Sequence, residues 1–319
     1  MLPMTATRFS SGDPAADRRA DYAGQFAARG DMEAAIEVLA GALELAPGWA
    51  AGWFRLGEYH QSAGSIDAAI AAWDRALAVD PADLMGASLK RDLARATPLA
   101  DSMPPAFVEL LFDQYAPRFE AALVGGLQYR GPQILLQRLT ANGFTAAQSV
   151  LDLGCGTGLM GEAVRPFAGR LEGMDISARM LAEAGAKGVY DALHKRDIAR
   201  MEMGEARYEL IIAADVFAYV GALEGIIGWC RAALNAGGML AFTVEAGEGD
   251  LTLRESRRFA HGKDYIASLL AQAGFGGVDI HPCVVRQDRG ADIASWCVVA
   301  ALTPVRHDRE DDGEARLAV

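Results

Sequence analysis

The nine residues Val150-Leu-Asp-Leu-Gly-Cys-Gly-Thr-Gly158 constrain the fold of this chain more tightly than any other stretch. The first four are an apolar run with one carboxylate, which suits a strand buried in a parallel sheet. Gly154, Gly156 and Gly158 then alternate with small residues, so the backbone can turn tightly and lie against a ligand with no Cβ in the way. Leu159-Met-Gly-Glu-Ala-Val164 follows as a helix start whose free N–H groups aim back into the turn. Strand, glycine turn and helix N-terminus together predict a nucleotide cradle at the C-terminal edge of a sheet.

Two ligands suit such a cradle. Gly156, Gly158 and Gly161 satisfy the Gly-x-Gly-x-x-Gly spacing of dinucleotide enzymes. The reading Asp152-x-Gly154-x-Gly156-x-Gly158 uses one residue more, a strand-end carboxylate able to face an ammonium group, which S-adenosylmethionine carries and a dinucleotide lacks there. So read, the stretch resembles the first motif of class I S-adenosylmethionine-dependent methyltransferases. The later motifs of that family follow in order: Gly173-Met-Asp175-Ile176-Ser177, Asp197-Ile198, Ile211 to Tyr219 with Asp215 in its exit loop, and Leu234-Asn-Ala-Gly237-Gly238.

The resemblance implies S-adenosylmethionine as cofactor and assigns its contacts. Gly154, Gly156 and Gly158 give close backbone approach, Asp152 and Asp215 balance the methionine ammonium and the sulfonium, Asp175 holds the ribose hydroxyls with Ile176 and Met180 beside it, and Asp197 and Ile198 lie along the adenine. Asp197 follows Lys195 and Arg196, so a surface ion pair is its alternative reading. Cys155 sits in the glycine turn as a small side chain under the cofactor, although a helix N-terminus there can also lower a thiol pKa.

At 319 residues the chain is long enough for two units. With 51% hydrophobic and 23% charged residues the composition is globular, and a net charge of −12 argues against a nucleic-acid partner, which needs clustered Lys and Arg. Cys155, Cys230, Cys283 and Cys297 show no Cys-x-x-Cys spacing, so neither a disulfide framework nor a metal site is expected. No apolar run approaches ~18 residues and Met1 to Arg8 lacks the apolar centre of a signal peptide, which predicts a cytoplasmic protein that does not engage a membrane.

Residues 1–15 are rich in Ser, Gly, Asp and Pro and are expected to be disordered. An internal repeat follows: Ala35 recurs as Ala69, Leu39 as Trp73, Ala42 as Ala76 and Pro47 as Pro81, a constant offset of 34. That period is the tetratricopeptide repeat's, and Trp53-x-x-Leu56-Gly57 with Ala69, Trp73, Ala76 and Pro81 fills its positions, Tyr59 standing one place early. Residues 16–97 therefore divide into repeats 16–49 and 50–83 and a capping helix from Leu84 to Ala96, whose apolar face is Leu84, Leu89 and Leu93. Residues 98–140 are read as a proline-rich linker and lid helices. There Phe112-Asp-Gln-Tyr115-Ala-Pro-Arg-Phe119 resembles the lid of small-molecule methyltransferases, in which Tyr115 covers the methionine end of the cofactor; packing of the lid on the sheet is the alternative role.

From residue 141 to 303 strands and helices alternate, predicting a Rossmann-like α/β domain. Strands are expected near 149–153, 171–175, 190–194, 208–214, 238–244, 276–286 and 293–302, the last two as a hairpin, which matches the seven-stranded class I methyltransferase arrangement. Residues 304–319 read as a charged tail. The run Tyr190-Asp191, Ala213 to Glu224, Arg257-Arg258-Phe-Ala-His261 and Tyr265 is similar to bacterial methyltransferases that carry tetratricopeptide repeats in the same chain.

Methyl transfer from a sulfonium needs mainly an acceptor aligned behind the methyl group, with water excluded. If a base takes part, Tyr219, Glu245, His261 and Tyr265 are the candidates, His261 because it titrates near neutrality, with helix capping as its alternative role. The function expected is methylation of an O or N, possibly C, atom of a small molecule, with the repeats serving a protein partner or self-association. Two alternatives stand beside it: a protein methyltransferase that recruits its substrate through the repeats, and a non-catalytic S-adenosylmethionine-binding interaction protein.

Overall fold

The computed structural model describes residues 9–95, 103–202, 204–288 and 290–302; the expected charged tail and residues 97–102 of the linker lie outside them. The described chain begins with five helices, α1 (Pro14–Ala28), α2 (Met32–Leu45), α3 (Ala50–Ser62), α4 (Ile66–Val79) and α5 (Ala87–Arg95). α1 pairs with α2 and α3 with α4 because small side chains occupy the contacts: Ala16, Ala20 and Ala23 face Ala35, Leu39 and Ala42. In the second pair Trp73 is fully buried and its Nε1 donates to the Phe54 carbonyl at 3.2 Å. A Cβ at residue 57 would lie 2.3 Å from that nitrogen, so the indole requires glycine there.

Two expectations are corrected in this region. The segment 9–15 is structured: Asp13 caps α1 by accepting from Ala15 N (2.7 Å) and Ala16 N (3.0 Å), and Trp49 Nε1 donates to the Phe9 carbonyl at 2.6 Å. A cap and the hydrogen bond from a half-buried indole offset the ordering cost that a polar composition suggested. The capping helix starts at Ala87, not Leu84. Asp83, in left-handed conformation with φ 55, accepts from the amides of Ala87 (2.5 Å) and Ser88 (3.0 Å), and Leu84 stays 37% exposed before the helix.

Helix α6 (Pro105–Tyr115) carries proline in its first turn, where the missing N–H costs nothing. A 3-10 turn (Ala116–Arg118) and a π-helical turn (Ala121–Gly126) lead to α7 (Gly131–Ala141). The sheet then forms from β1 (Ala147–Leu153), β2 (Ala168–Asp175), β3 (Ala192–Lys195), β4 (Tyr208–Ala213) and β5 (Leu234–Ala246), parallel in the order β3-β2-β1-β4-β5. Helices α8 (Leu159–Val164), α9 (Ala178–Ala186) and α10 (Glu224–Ala233) make the crossovers. After α11 (Lys263–Gln272), β8 (Phe275–Asp288) and β9 (Ala291–Leu302) form the expected hairpin, β9 antiparallel to β5.

The sheet has two strands that the sequence reading did not contain, β6 (Leu251–Leu253) and β7 (Phe259–His261). β9 occupies one edge of β5 as far as Glu245, and β7 pairs parallel with Glu245 and Ala246 on the other, where β4 has already ended. The β6–β7 hairpin thereby covers the carboxyl ends of the central strands. Its Leu253 and Phe259 pack with Leu89 of α5 and Phe107 of α6, which joins the helical segment to the sheet. Two cores flank the sheet: Phe217, Ile227, Phe242 and Leu270 on one face, Leu135, Leu139, Val164 and Leu210 on the other. Among the described residues no helix is long and apolar enough to cross a membrane.

Trp73→Ala removes a fully buried indole whose site is walled by helices, so it should destabilise the chain by about 3–5 kcal/mol, read as a lower midpoint in denaturant unfolding.

Candidate active site

β1 delivers the glycine turn to the carboxyl edge of the sheet. Gly154 and Gly156 hold φ +63 and +54, a region that side chains rarely adopt, and a Cβ on Gly154 would strike Val216 Cγ2 at 2.5 Å. Asp175, at the end of β2, fixes the turn: its Oδ2 accepts from Gly156 N at 2.9 Å and its Oδ1 from Ser177 N at 2.8 Å. Burial raises its carboxyl pKa to about 6 against the donors that lower it. Under the turn, Tyr190 donates to Asp152 Oδ2 at 2.7 Å and wedges against Gly158, Gly161 and Gly173. Asp152 is 1% exposed, its Oδ1 has no hydrogen-bond partner among the described residues, and burial pushes its pKa up to about 7.

The turn floors a cavity of about 1040 Å³ with its mouth included, which is the size of a cofactor site. Of the residues expected to hold the cofactor, Gly154, Cys155, Gly156, Asp175, Ile176, Asp197, Ile198 and Asp215 line it. Gly158, Asp152 and Met180 do not: Gly158 starts α8 behind the turn, Asp152 faces Tyr190, and Met180 is fully buried in α9. The expectation that Asp152 faces an ammonium is therefore corrected, because the residue lies beneath the loop outside the cavity lining, with Oδ2 held by Tyr190. Burial also raises the Cys155 thiol pKa far above its usual value, so the helix N-terminus does not activate it.

A second cavity adjoins the first, and Phe112, Phe119, Leu123, Tyr219 and Arg258 line both. Tyr115 lines only the second; Phe112 and Phe119 of the same motif reach the first, as do Pro105, Val108, Leu123 and Tyr129 of the lid region. Helix α6 is latched over the site by Asp113, whose Oδ1 accepts from Ser177 Oγ at 2.6 Å, and by Glu109, paired with Lys195 Nζ at 2.6 Å. Phe112 meets Tyr219 edge-on with ring centroids 5.1 Å apart.

Where the cavities meet stands a charge network that the sequence reading did not assign. Asp215, with φ 57, places Oδ1 2.6 Å from Arg258 Nη2 and Oδ2 3.2 Å from Arg286 Nε. Glu245 Oε1 takes Arg258 Nε at 2.7 Å and Arg286 Nη2 at 2.5 Å, and Arg254 Nε lies 3.4 Å from its other oxygen. Arg258 Nη1 donates to Tyr219 Oη at 2.6 Å. Burial raises the Tyr219 pKa, with Arg258 acting against it, while its carboxylate neighbours hold the Arg258 guanidinium more firmly protonated. The one signal in the sequence was Arg286 closing Cys283-Val-Val-Arg286, a charge at the end of an apolar stretch read as a hairpin strand.

Two of the expected bases are elsewhere. His261 is fully buried in β7, its Nε2 is 2.8 Å from the Gly221 carbonyl, burial lowers its pKa, and it lines neither cavity. Tyr265 stacks on His261, accepts from Leu223 N at 2.9 Å and donates to Glu224. The expected catalytic roles of both are corrected: they pin the segment Gly221–Glu224 instead. Among the described residues no group of three or more His, Cys, Asp or Glu is placed to hold a metal ion.

Asp152 and Asp175 titrate higher in the folded chain than the ordinary 3.8, so folding is favoured when they are protonated. That contribution is complete below about pH 4 and is lost as pH rises through about 6 for Asp175 and about 7 for Asp152. Thermal melts of the ligand-free chain should fall in midpoint between pH 5 and pH 8, by up to about 3 kcal/mol of stability from Asp152 alone, and Asp152→Asn should flatten that slope.

Residues 150–238 match a family described as methyltransferase domain. Malonyl-[acyl-carrier protein] O-methyltransferase of Enterobacter lignolyticus is 29% identical over 173 residues, 53% of this chain and 67% of that protein. Ubiquinone biosynthesis O-methyltransferase of Burkholderia ambifaria is 24% identical over 139 residues, 41% of this chain and 57% of that one. The chain thus spans about three fifths of the length of these relatives. Burkholderia thailandensis 1,6-didemethyltoxoflavin-N1-methyltransferase, solved with 1,6-didemethyltoxoflavin and S-adenosylhomocysteine, superposes with a TM-score of 0.50 at 19% identity, over 65% of this chain and 92% of that one, a likeness of fold. The motif that floors the first cavity lies inside the matched residues, and the chain is an enzyme with an S-adenosylmethionine-dependent methyltransferase domain of the class I, Rossmann-like fold.

Proposed function

We propose that this chain transfers a methyl group to an oxygen or nitrogen atom of a small molecule held in the second cavity. The observation that carries the reading is the shared boundary: Phe112, Phe119, Tyr219 and Arg258 line both cavities, so a donor in one and an acceptor in the other meet there. S-adenosylmethionine, when bound, supplies an electrophilic methyl group on a sulfonium. Gly154 and Gly156 give it close backbone approach, Asp175 and Ile176 hold the ribose, and Asp197 and Ile198 take the adenine. Asp215 acts on the positive end of the site indirectly, since both its oxygens are already engaged by arginines.

The chain's own contribution is alignment and exclusion of water. Orientation alone can lower a barrier by ~7–11 kcal/mol in favourable cases, so no strong base is required. Tyr219, whose pKa is raised by burial, keeps its proton near neutrality and acts as a wall and hydrogen-bonding group. Glu245, 3% exposed, is bound to arginines and is not available as a base. The latched α6 closes the site over Phe112. We read α1–α4 as two tetratricopeptide-type repeats, supported by the 34-residue period and the packing of Trp73 on Gly57, with α5 as their cap; they would serve a partner or self-association. On this reading the units run 16–97, 98–140 and 141–303.

Calorimetric titration of the full chain should show saturable binding of S-adenosylmethionine and none of NAD. Asp175→Ala, which removes the acceptor for Gly156 N, should weaken that binding at least tenfold. Binding of NAD in its place, or of neither, would sink the assignment, as would a failure to form S-adenosylhomocysteine with any pool of small metabolites.

A further inference from the structure

The second cavity has two chemically distinct kinds of lining. Phe107, Leu111, Phe112 and Phe119 give it an apolar, aromatic wall. Arg257, Arg258 and Arg286 line it as well, Arg257 lying over the Phe107 ring, and Asp288 is the single carboxylate among the described lining residues. Asp215 and Glu245 lie behind the arginines and do not line this cavity. Counting the whole network, Arg254, Arg258 and Arg286 face Asp215 and Glu245, so the guanidinium groups are in excess by one charge.

Arg258 spends Nε, Nη1 and Nη2 on Glu245, Tyr219 and Asp215. Arg286 spends only Nε and Nη2, on Asp215 and Glu245. Its side chain is 6% exposed, and its Nη1 donates to none of the described residues. Nη1 is not among the side-chain atoms that are both fully buried and without a partner, so it faces accessible space where a ligand oxygen can reach it. Two carboxylates already fix the guanidinium plane, so a ligand binds it without ordering it first, and the fork suits a carboxylate, which can take two parallel N–H donors. Arg286 lines the second cavity and not the first, which sets such an anchor away from the donor side.

We infer that the acceptor is an apolar or aromatic small molecule bearing a carboxylate, anchored on the unspent edge of Arg286 with Arg258 beside it, its apolar body running along Phe107, Phe112 and Phe119 toward Tyr219. This rests on the reading of the second cavity as the acceptor site and names the class of molecule it takes. Arg286 is a binding residue in this scheme; Asp215 and Glu245 are positioning residues that act through it. Neutral molecules of the same shape lack the charge that the excess guanidinium selects.

The test uses the full chain saturated with S-adenosylhomocysteine, titrated by calorimetry with benzoate, 2-naphthoate and octanoate, each against its own primary amide. At least one carboxylate should bind tenfold or more tighter than its amide, and Arg286→Lys, which keeps the cation and loses the fork, should reduce that preference at least fivefold while S-adenosylhomocysteine affinity stays within about twofold. Equal binding of acid and amide in all three pairs overturns the inference, even with the cofactor bound normally. An unchanged preference in Arg286→Lys overturns the assignment to Arg286. Failure of S-adenosylhomocysteine itself to bind is a separate result: it overturns the cofactor reading and this inference with it.

Discussion

Four strands meet through two carboxylates and two guanidinium groups. Asp215 follows β4, Glu245 is in β5, Arg258 precedes β7 and Arg286 is in β8, and each carboxylate bonds both arginines. Burying such charges is costly, and their mutual attraction does little more than offset desolvation. What the network supplies is position. Removing one partner leaves a buried charge of the opposite sign uncompensated, at a cost of about 3–5 kcal/mol, so the four strands are held to one register at the edge where both cavities open. The left-handed backbone at Asp215 and at Arg257, φ 57 and 61, flanks this network, and strain of that kind persists only where surrounding contacts over-determine the chain.

The network also explains how the helical segment reaches the site. Arg257 and Arg258 are neighbours in the turn between β6 and β7, and they diverge. Arg258 enters the network, while Arg257 Nη1 donates to the Met85 carbonyl at 3.2 Å and its guanidinium lies 4.9 Å over the Phe107 ring. One turn thus touches the second cavity, the segment that precedes α5 and the lid helix α6. The hairpin's apolar residues, Leu253 and Phe259, close the same junction with Leu89.

How much of this was legible in the sequence follows from how local each feature is. The glycine turn needs only adjacent residues and a strand before them, so Val150 to Gly158 predicted it, and Asp175 was legible as a carboxylate closing a second apolar strand. The 34-residue period was legible because each copy packs on its neighbour through the same positions. β6 and β7 were not legible: three-residue strands have no periodicity, and their partner is the stretch of β5 that β4 leaves open. His261 illustrates the limit of proximity in sequence. It lies between the arginine pair and a helix start, yet alternation along β7 turns Arg258 and His261 to different surroundings. Asp152 fails for a related reason, because the sequence does not say that Tyr190, 38 residues on, fills the space beneath the turn.

The two cavities therefore differ in what builds them. The first is floored by backbone, the Gly154–Gly156 turn held by an acid that accepts two amides, and is walled by side chains of the lid, of residues 196–199 and of the loop after β4. The second is made of side chains brought from α6, the β6–β7 turn and β8, elements far apart in sequence that meet only through the arginine network and the lid. A backbone site tolerates wide change in sequence so long as its glycines and its acid stay, whereas a side-chain site is reset by single substitutions. On the proposed reading, a cofactor site and an acceptor site divided in this way let one fold keep its methyl donor while the chemistry of the acceptor varies.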